Sequence, residues 1–262
     1  MIFMKVDVFD LQGNPIQKIE LPKVFTEPVR EDLIRRAFLA IQGRKRQPHG
    51  TDVMAGKRTS AHYHGYRRHR WTMMSREMAR MPRLHGKIPL QQMFKPRFAP
   101  QVTKGREAHP PKVEKVWELK INDKERQKAV RSAIAATAVK ELVLKRGHKV
   151  EGLKQLPVVV DDRIQELKKT KDLVEFFKKI GLEKELERIK EKKIKRGRYK
   201  RRVGPLIVVA ENKGVLKAAK NLGVDVCLVK ELNAEVLAPG TMPGRLTVWS
   251  GSAIKELGSE KK

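Results

Sequence analysis

Three histidines within eight residues, His62, His64 and His69, form the densest group in this 262-residue chain that could bind metal or move protons. Imidazole titrates near neutral pH and ligates zinc-class ions. Sites of that kind usually add a carboxylate or a cysteine, and the run from His62 to His69 contains neither. The same rings, with Tyr63 and Tyr66, can instead stack on unpaired bases. That reading is adopted, and no metal ligand is assigned. Gly50–Thr59 superficially resembles a P-loop, but its spacing is off by one and Arg58 stands where Ser or Thr is required. Its Gly50 and Gly56 would let backbone approach RNA, with Lys57 and Arg58 supplying charge. Asp161-Asp162 follows the apolar run Pro157–Val160, so it could be an acidic pair at the C-terminal edge of a strand. A turn or a helix cap is its ordinary reading, since no nucleophile, base and orienting group recur around it. Cys227 lies in the apolar run Val224–Val229 and reads as core. No catalytic residue, cofactor or small-molecule substrate is therefore assigned.

Charge carries the stronger signal. The chain has 59 Lys and Arg against 30 Asp and Glu, a formal net charge of +29. Between Gly43 and Lys112 stand seventeen of these cations: Arg44, Lys45, Arg46, Lys57, Arg58, Arg67, Arg68, Arg70, Arg76, Arg80, Arg83, Lys87, Lys95, Arg97, Lys104, Arg106 and Lys112. Three acids oppose them, Asp52, Glu77 and Glu107. Like charge at this density repels, so the segment is expected to close up only against a polyanion. A second run, Lys190–Arg202, sets nine cations, including Lys195, Arg196, Arg198, Lys200, Arg201 and Arg202, against Glu191 alone. Concentration of charge in two patches points to nucleic acid binding. Arg outnumbers Lys eleven to six in the first patch, which suits bidentate phosphate contact and stacking. Aromatics (Tyr63, Tyr66, Trp71, Phe94, Phe98) and six Met are interleaved with the charge, as they are not in a purely solvated tail.

The elements that must carry these patches read as follows. Residues 2–9 form a strand, Asp10–Pro15 a turn, and Ile16–Leu21 the hairpin partner. Val29–Ile41 is helical by the spacing of Leu33, Ile34, Ala37, Phe38 and Ile41, with Gly43 as its stop. The basic segment shows no sustained period, and such a long structureless stretch implies function or disorder. Its aromatic and Met content argues for a segment mobile alone and ordered when bound. Asn122-Asp123-Lys124-Glu125 opens one helix reaching to about Lys145 in the manner of a capping box. Strands at Pro157–Val160, Pro205–Ala210, Val224–Val229 and Leu246–Trp249 alternate with helices after Thr170, Leu182 and Gly214. The helix lined by Leu182, Leu186 and Ile189 runs into the second basic patch, and the tail from Gly258 is expected to fray. This alternation predicts an α/β fold with a largely parallel sheet covered by helices. The expected organisation is one globular domain from residues 1–42 and 113–262, with 43–112 inserted as a long basic loop. One cysteine fits a reducing compartment and excludes a disulfide framework. The N-terminus lacks signal-peptide order and no apolar run could span a bilayer, so a soluble intracellular protein away from membranes is expected.

The stretches Ala55-Gly56-Lys57-Arg58-Thr59, Gly105–Lys112, Asn122–Arg126 and Ala129–Ala138, in that order, resemble the fourth-protein family of the large ribosomal subunit, in its archaeal and eukaryotic form. The resemblance implies a three-layer α/β/α domain on the outer side of the subunit. It implies a non-enzymatic, cytoplasmic protein that binds large-subunit ribosomal RNA and touches neighbouring ribosomal proteins. It also implies that the loop threads inward and that its tip, around Arg58–Trp71, helps line the narrow part of the nascent-peptide exit tunnel. Two other classes are consistent with the residues: an RNA-processing enzyme using the His62, His64 and His69 region, and a stand-alone regulatory RNA binder.

Overall fold

Runs of apolar residues without alternation become the middle of the sheet. The computed structural model describes residues 5–259; the expected strand residues 2–4 and tail residues 260–262 lie outside that range. The chain divides into two compact units, one formed by the chain up to Lys45 and from Glu118 onward, the other by Arg46–Trp117.

In the first unit, β1 (Lys5–Phe9) turns back into β2 (Pro15–Glu20), and α1 (Glu31–Arg44) follows. Gly43 does not stop α1, which runs one residue past it. After the second unit come α2 (Asp123–Ala138), α3 (Lys140–Lys145), β3 (Val158–Val160), α4 (Thr170–Ile180) and α5 (Glu183–Lys190). A separate hairpin, β4 (Lys192–Lys195) and β5 (Arg198–Arg201), precedes β6 (Leu206–Val209), α6 (Val215–Leu222) and β7 (Asp225–Leu228). The chain ends with α7 (Ala234–Leu237), β8 (Thr247–Ser250) and α8 (Gly251–Ser259). The main sheet has the order β2-β1-β3-β8-β6-β7, and only the β1–β2 pairing is antiparallel.

Both faces of this sheet are covered, which is why β3 and β6 are apolar throughout. Val158, Val160, Ile207, Val209 and Val248 pack with Leu173, Phe176, Phe177, Leu186 and Ala219 from α4, α5 and α6. Val159, Leu206, Val208 and Trp249 point the other way, into Ile34, Ala133, Ile134, Leu237 and Ile254 from α1, α2, α7 and α8. The result is the expected three-layer α/β/α arrangement. Trp249 is fully buried, and Phe25 meets it edge-on at 5.3 Å.

The single helix expected from Asn122 to Lys145 is two. Val139 is extended (φ −87°, ψ 109°), and the break sends the chain from one core to the other. Ala133 and Ile134 lie on the α1 side, whereas Val143 of α3 joins the cluster beneath α4 and α5. One straight helix could not reach both. Asn122 stands at the N-cap of α2 but makes no side-chain cap hydrogen bond. Glu125, the other half of the expected capping box, instead pairs with Arg36 of α1 at 3.1 Å. Gly181 ends α4 in the left-handed region (φ 90°), where glycine carries no Cβ penalty. Among the described residues, no helix is long and apolar enough to cross a membrane.

Candidate nucleic-acid interface

The second unit is irregular chain that doubles back on itself. At its base, Trp117 is clamped between cations and a ring: Arg46 Cζ lies 3.9 Å and Lys115 Nζ 4.4 Å from the indole centroid, and His49 stacks on it at 5.5 Å. Such cation–π contacts each contribute on the order of 0.5–2 kcal/mol. They join residues 46–49 of the outgoing arm to 115–117 of the returning one. Farther along, Thr51 N–H donates to Pro111 O. At Gly56 (φ 72°) an added Cβ would stand 2.3 Å from Gly105 O. The expectation that Gly50 and Gly56 permit approach to RNA is thus corrected. They permit approach of the two arms, Gly50 against Pro111–Val113 and Gly56 against Gly105–Arg106.

Beyond this the loop builds a small centre around Arg83. Its N–H donates to His62 O, its Nη1 to Phe94 O at 2.8 Å, and its Nη2 to Ala79 O at 3.0 Å. Single antiparallel bridges link His62 with Arg83 and Arg83 with Pro96. Arg97 donates to Thr103 O at 2.9 Å. Met73 is 3% exposed and Thr72 is 9% exposed. Trp71 packs on His85 and Phe94, with centroids 5.6 and 6.1 Å apart. The loop is thus compact without a polyanion, contrary to the expectation from charge repulsion. Charge can be held outward while Trp71, Met73, His64, His85 and backbone carbonyls fill the middle.

Histidines dominate that middle. His64 stacks on His69 at 4.1 Å and meets His62 and His85 edge-on at 4.3 and 4.6 Å. His64 is held below the usual imidazole value of 6.5, first by desolvation and then by the proximity of His69, His62 and His85. His85 was not grouped with the others in the sequence because it lies 21 residues beyond His64. Only the doubling back of the loop brings them together.

The cations divide into two groups. Arg83, Arg97, Lys57 and Arg106 are half-buried, and the first two donate to the loop's own carbonyls. Arg46, Arg67, Arg68, Arg70, Arg76, Arg80, Lys87, Lys95, Lys104 and Lys112 are exposed, as are His62, Tyr63 and Tyr66. Arg70 lies over Trp71 and Arg76 over Phe94, each 4.6 Å from the ring centroid. Arg58 is exposed but pairs with Asp52 at 2.8 Å. Arg44 and Lys45, at the end of α1 in the first unit, pair with Glu118 and Glu235.

The second basic patch also belongs to the first unit, and it begins where α5 ends. It is the β4–β5 hairpin, turning at Arg196 (φ 51°) and Gly197 (φ 71°), the left-handed pair that suits a two-residue connection. Its register sets Lys192 opposite Arg201 and Ile194 opposite Tyr199. Ile194 and Tyr199 are 71% and 73% exposed, and Arg196, Arg198, Lys200 and Arg201 are exposed too. The side chains of Lys193 and Lys195 lie outside what the structure describes. Like charges facing each other across a two-stranded ribbon are unfavourable. The ribbon's root is anchored instead. Arg202 pairs with Glu191 at 2.8 Å, and Arg188 Nη2 donates to Val203 O at 2.7 Å.

Behind that root sits a buried network. Glu185 accepts from His148 Nδ1 (2.7 Å), Lys149 N (2.9 Å), Arg188 Nε (2.8 Å) and Arg188 Nη2 (2.6 Å). Burial alone would raise the Glu185 carboxyl, but hydrogen bonds from His148 and Arg188 outweigh it and the group is lowered. Burial lowers His148, only partly offset by Glu185. Asp161 and Asp162 are caps: Asp161 accepts from Asp162 N, and Asp162 accepts from Ser252 N at the start of α8. Cys227 is buried, and its thiol is pushed up to about 11, chiefly by desolvation.

Residues 19–260 match the Ribosomal protein L4/L1 family. The chain is 45% identical over 263 residues to the large ribosomal subunit protein uL4 of Methanosphaera stadtmanae, covering 97% of this chain and 96% of that one. It is 44% identical to the protein of the same name from Archaeoglobus fulgidus, covering 97% and 98%. Against that of Halobacterium salinarum it is 42% identical, covering 97% and 99%. This chain belongs to the Ribosomal protein L4/L1 family.

Proposed function

We propose that the chain is a structural, non-enzymatic constituent of the large ribosomal subunit. It binds the subunit's RNA, supports the folding of that RNA during assembly, and works in the cytoplasm beside other ribosomal proteins. Full-length similarity to proteins named for that subunit carries the reading. The charge pattern supplies its physics. Each phosphate neutralised on RNA contributes about −0.7 to −0.9 to the slope of log affinity against log salt. The exposed cations of the loop and of the β4–β5 hairpin are the groups available for such contacts. In this reading Arg67, Arg68, Arg70, Arg76 and Arg80 meet phosphate or stack on bases. Arg83 and Arg97 act indirectly, by shaping the loop. Tyr63 and Tyr66 offer exposed rings for unpaired bases. The loop around Arg58–Trp71 lines the exit tunnel and meets the nascent peptide.

The test is to incorporate a variant with Arg67, Arg68 and Arg70 changed to Ala into large subunits. The expected result is weaker retention through a high-salt wash than wild type, with unchanged melting of the free protein. Retention equal to wild type would remove these three residues from the interface.

A further inference from the structure

The loop centre brings three imidazoles to one point. His64 Nε2 lies 2.8 Å from His85 Nε2, which lies 3.1 Å from His62 Nε2. One ring nitrogen from each of the three is within 4.8 Å of the others. A tetrahedral zinc ion with nitrogen ligands at about 2.0–2.1 Å would set those nitrogens about 3.3 Å apart. The His64–His85 and His85–His62 separations would each open by only a few tenths of an ångström.

The hydrogen bonds on the far sides of the rings decide which nitrogens carry protons. His62 Nδ1 lies 3.0 Å from Ser60 O, and His85 Nδ1 lies 3.0 Å from Arg83 O. A carbonyl only accepts, so both Nδ1 atoms must be the donors. In the neutral rings each Nε2 then bears a lone pair, and the two lone pairs face each other at 3.1 Å. A proton supplied by His64 Nε2 can satisfy the His85 lone pair but leaves that of His62 opposed. A cation at the meeting point satisfies all three. An Nδ1–H tied to a backbone carbonyl is also the partner that orients metal-ligating histidine.

The rings are held by contacts that do not involve the meeting point. Arg83 N–H donates to His62 O, which ties His62 to the chain leading to His85. Trp71 packs against His85, and His69 backs His64. Thr72 Oγ1 donates to His64 O.

We infer that His62, His64 and His85 form a binding site for a divalent transition ion of the zinc class. It closes the loop between its two arms and leaves a fourth position for a water or a phosphate oxygen. Neutral imidazole suits such ions, whereas magnesium and calcium demand oxygen ligands. The site is structural: it cross-links residues 62 and 85 across a span rich in exposed arginine. Because it is built wholly from the loop, it does not depend on the ribosomal reading.

The purified full-length protein, stripped of metal, is titrated with zinc in competition with a chromogenic chelator, and separately with magnesium. One zinc per chain and no response to magnesium are expected. His62→Ala and His85→Ala should each weaken zinc binding by about 100-fold or more, the upper end of what loss of even a supporting partner costs. The double variant His49→Ala/His109→Ala should bind as wild type. Zinc should also slow tryptic cleavage between Arg67 and Arg80 in wild type but not in His85→Ala. Melting of the α/β unit, followed in every variant, shows that the chain is folded. Absent or super-stoichiometric binding, or affinity indifferent to His62 and His85, would overturn the assignment.

Discussion

Replacing Glu185 by Gln keeps the side chain's shape and removes its charge. The wild-type carboxylate is fully buried and accepts four hydrogen bonds, two of them from Arg188. The variant leaves Arg188, itself 6% exposed, with Val203 O as its remaining backbone acceptor and no counter-charge. Removing one partner of a buried ion pair costs about 3–5 kcal/mol, because an uncompensated charge stays inside. For a unit of this size each kcal/mol shifts Tm by roughly 2–4 °C, so a fall of about 6–20 °C is expected. The loss should be concentrated where the network is anchored, at α5 and the root of the β4–β5 hairpin. Thermal melts give the size, and urea titration gives the free energy. The companion variant, Glu185→Met with Arg188→Met, removes both charges and should recover much of the loss, since a buried pair is often replaceable by apolar groups of similar volume. A single substitution costing under about 1 kcal/mol, or a double variant no better than the single, would refute the description of the network as a charge pair held by mutual compensation.

The same network predicts the acid response. Burial holds His148 below the usual 6.5, so the unfolded chain takes up that proton first; stability is full above about pH 6.5 and declines below it. Glu185, also lowered, adds a further loss once pH falls beneath the usual 4.5, and a Tm that is flat from pH 7 to 4 would contradict both. Changing Arg67, Arg68 and Arg70 to Ala should reduce the salt slope of RNA binding by about 2–3, read from affinities at several salt concentrations. Gly56→Val should open the loop, because its Cβ would collide with the Gly105 backbone and its φ of 72° disfavours a branched residue; faster tryptic cleavage of the loop at unchanged melting of the α/β unit is the expected signature. Cys227, with its thiol pushed up to about 11 and its side chain buried, should resist alkylation at pH 8 until the chain unfolds.

The sheet was legible in the sequence because its signals are local. Val158–Val160 and Leu206–Val209 are buried on both faces and announce it by unbroken apolar runs. Gly181 and Gly223 stop their helices by a left-handed turn that few other residues adopt. What escaped notice was decided at a distance. Val139 breaks a helix that local preference would continue, because α3 is needed in the opposite core. The Lys192–Arg201 hairpin is hidden by its cations, and only Ile194, Tyr199 and the Arg196-Gly197 turn hint at it. Helices α7 and α8 carry weak signals, four residues in one and a Gly-Ser start in the other. Asp162, 90 residues from Ser252, supplies the cap that starts α8.

For the loop the same distinction sorts residues by role. Counting charge treats all seventeen cations alike, yet electrostatics and hydrogen bonding assign them differently. A guanidinium that donates to its own chain's carbonyls satisfies backbone groups that an irregular segment would otherwise leave unpaired. Arg83 does this for Ala79 and Phe94, and Arg97 does it for Thr103. Those bonds fix the path along which Arg67, Arg68 and Arg70 are presented outward. Removing Arg83 should therefore damage RNA binding through shape, and Lys at that position should not restore it, since one ammonium cannot reproduce a fork that reaches two carbonyls at once. Removing Arg68 should cost a contact and leave the shape intact, and Lys there should restore most of it. An Arg83→Lys variant that binds RNA as wild type would erase this division of labour.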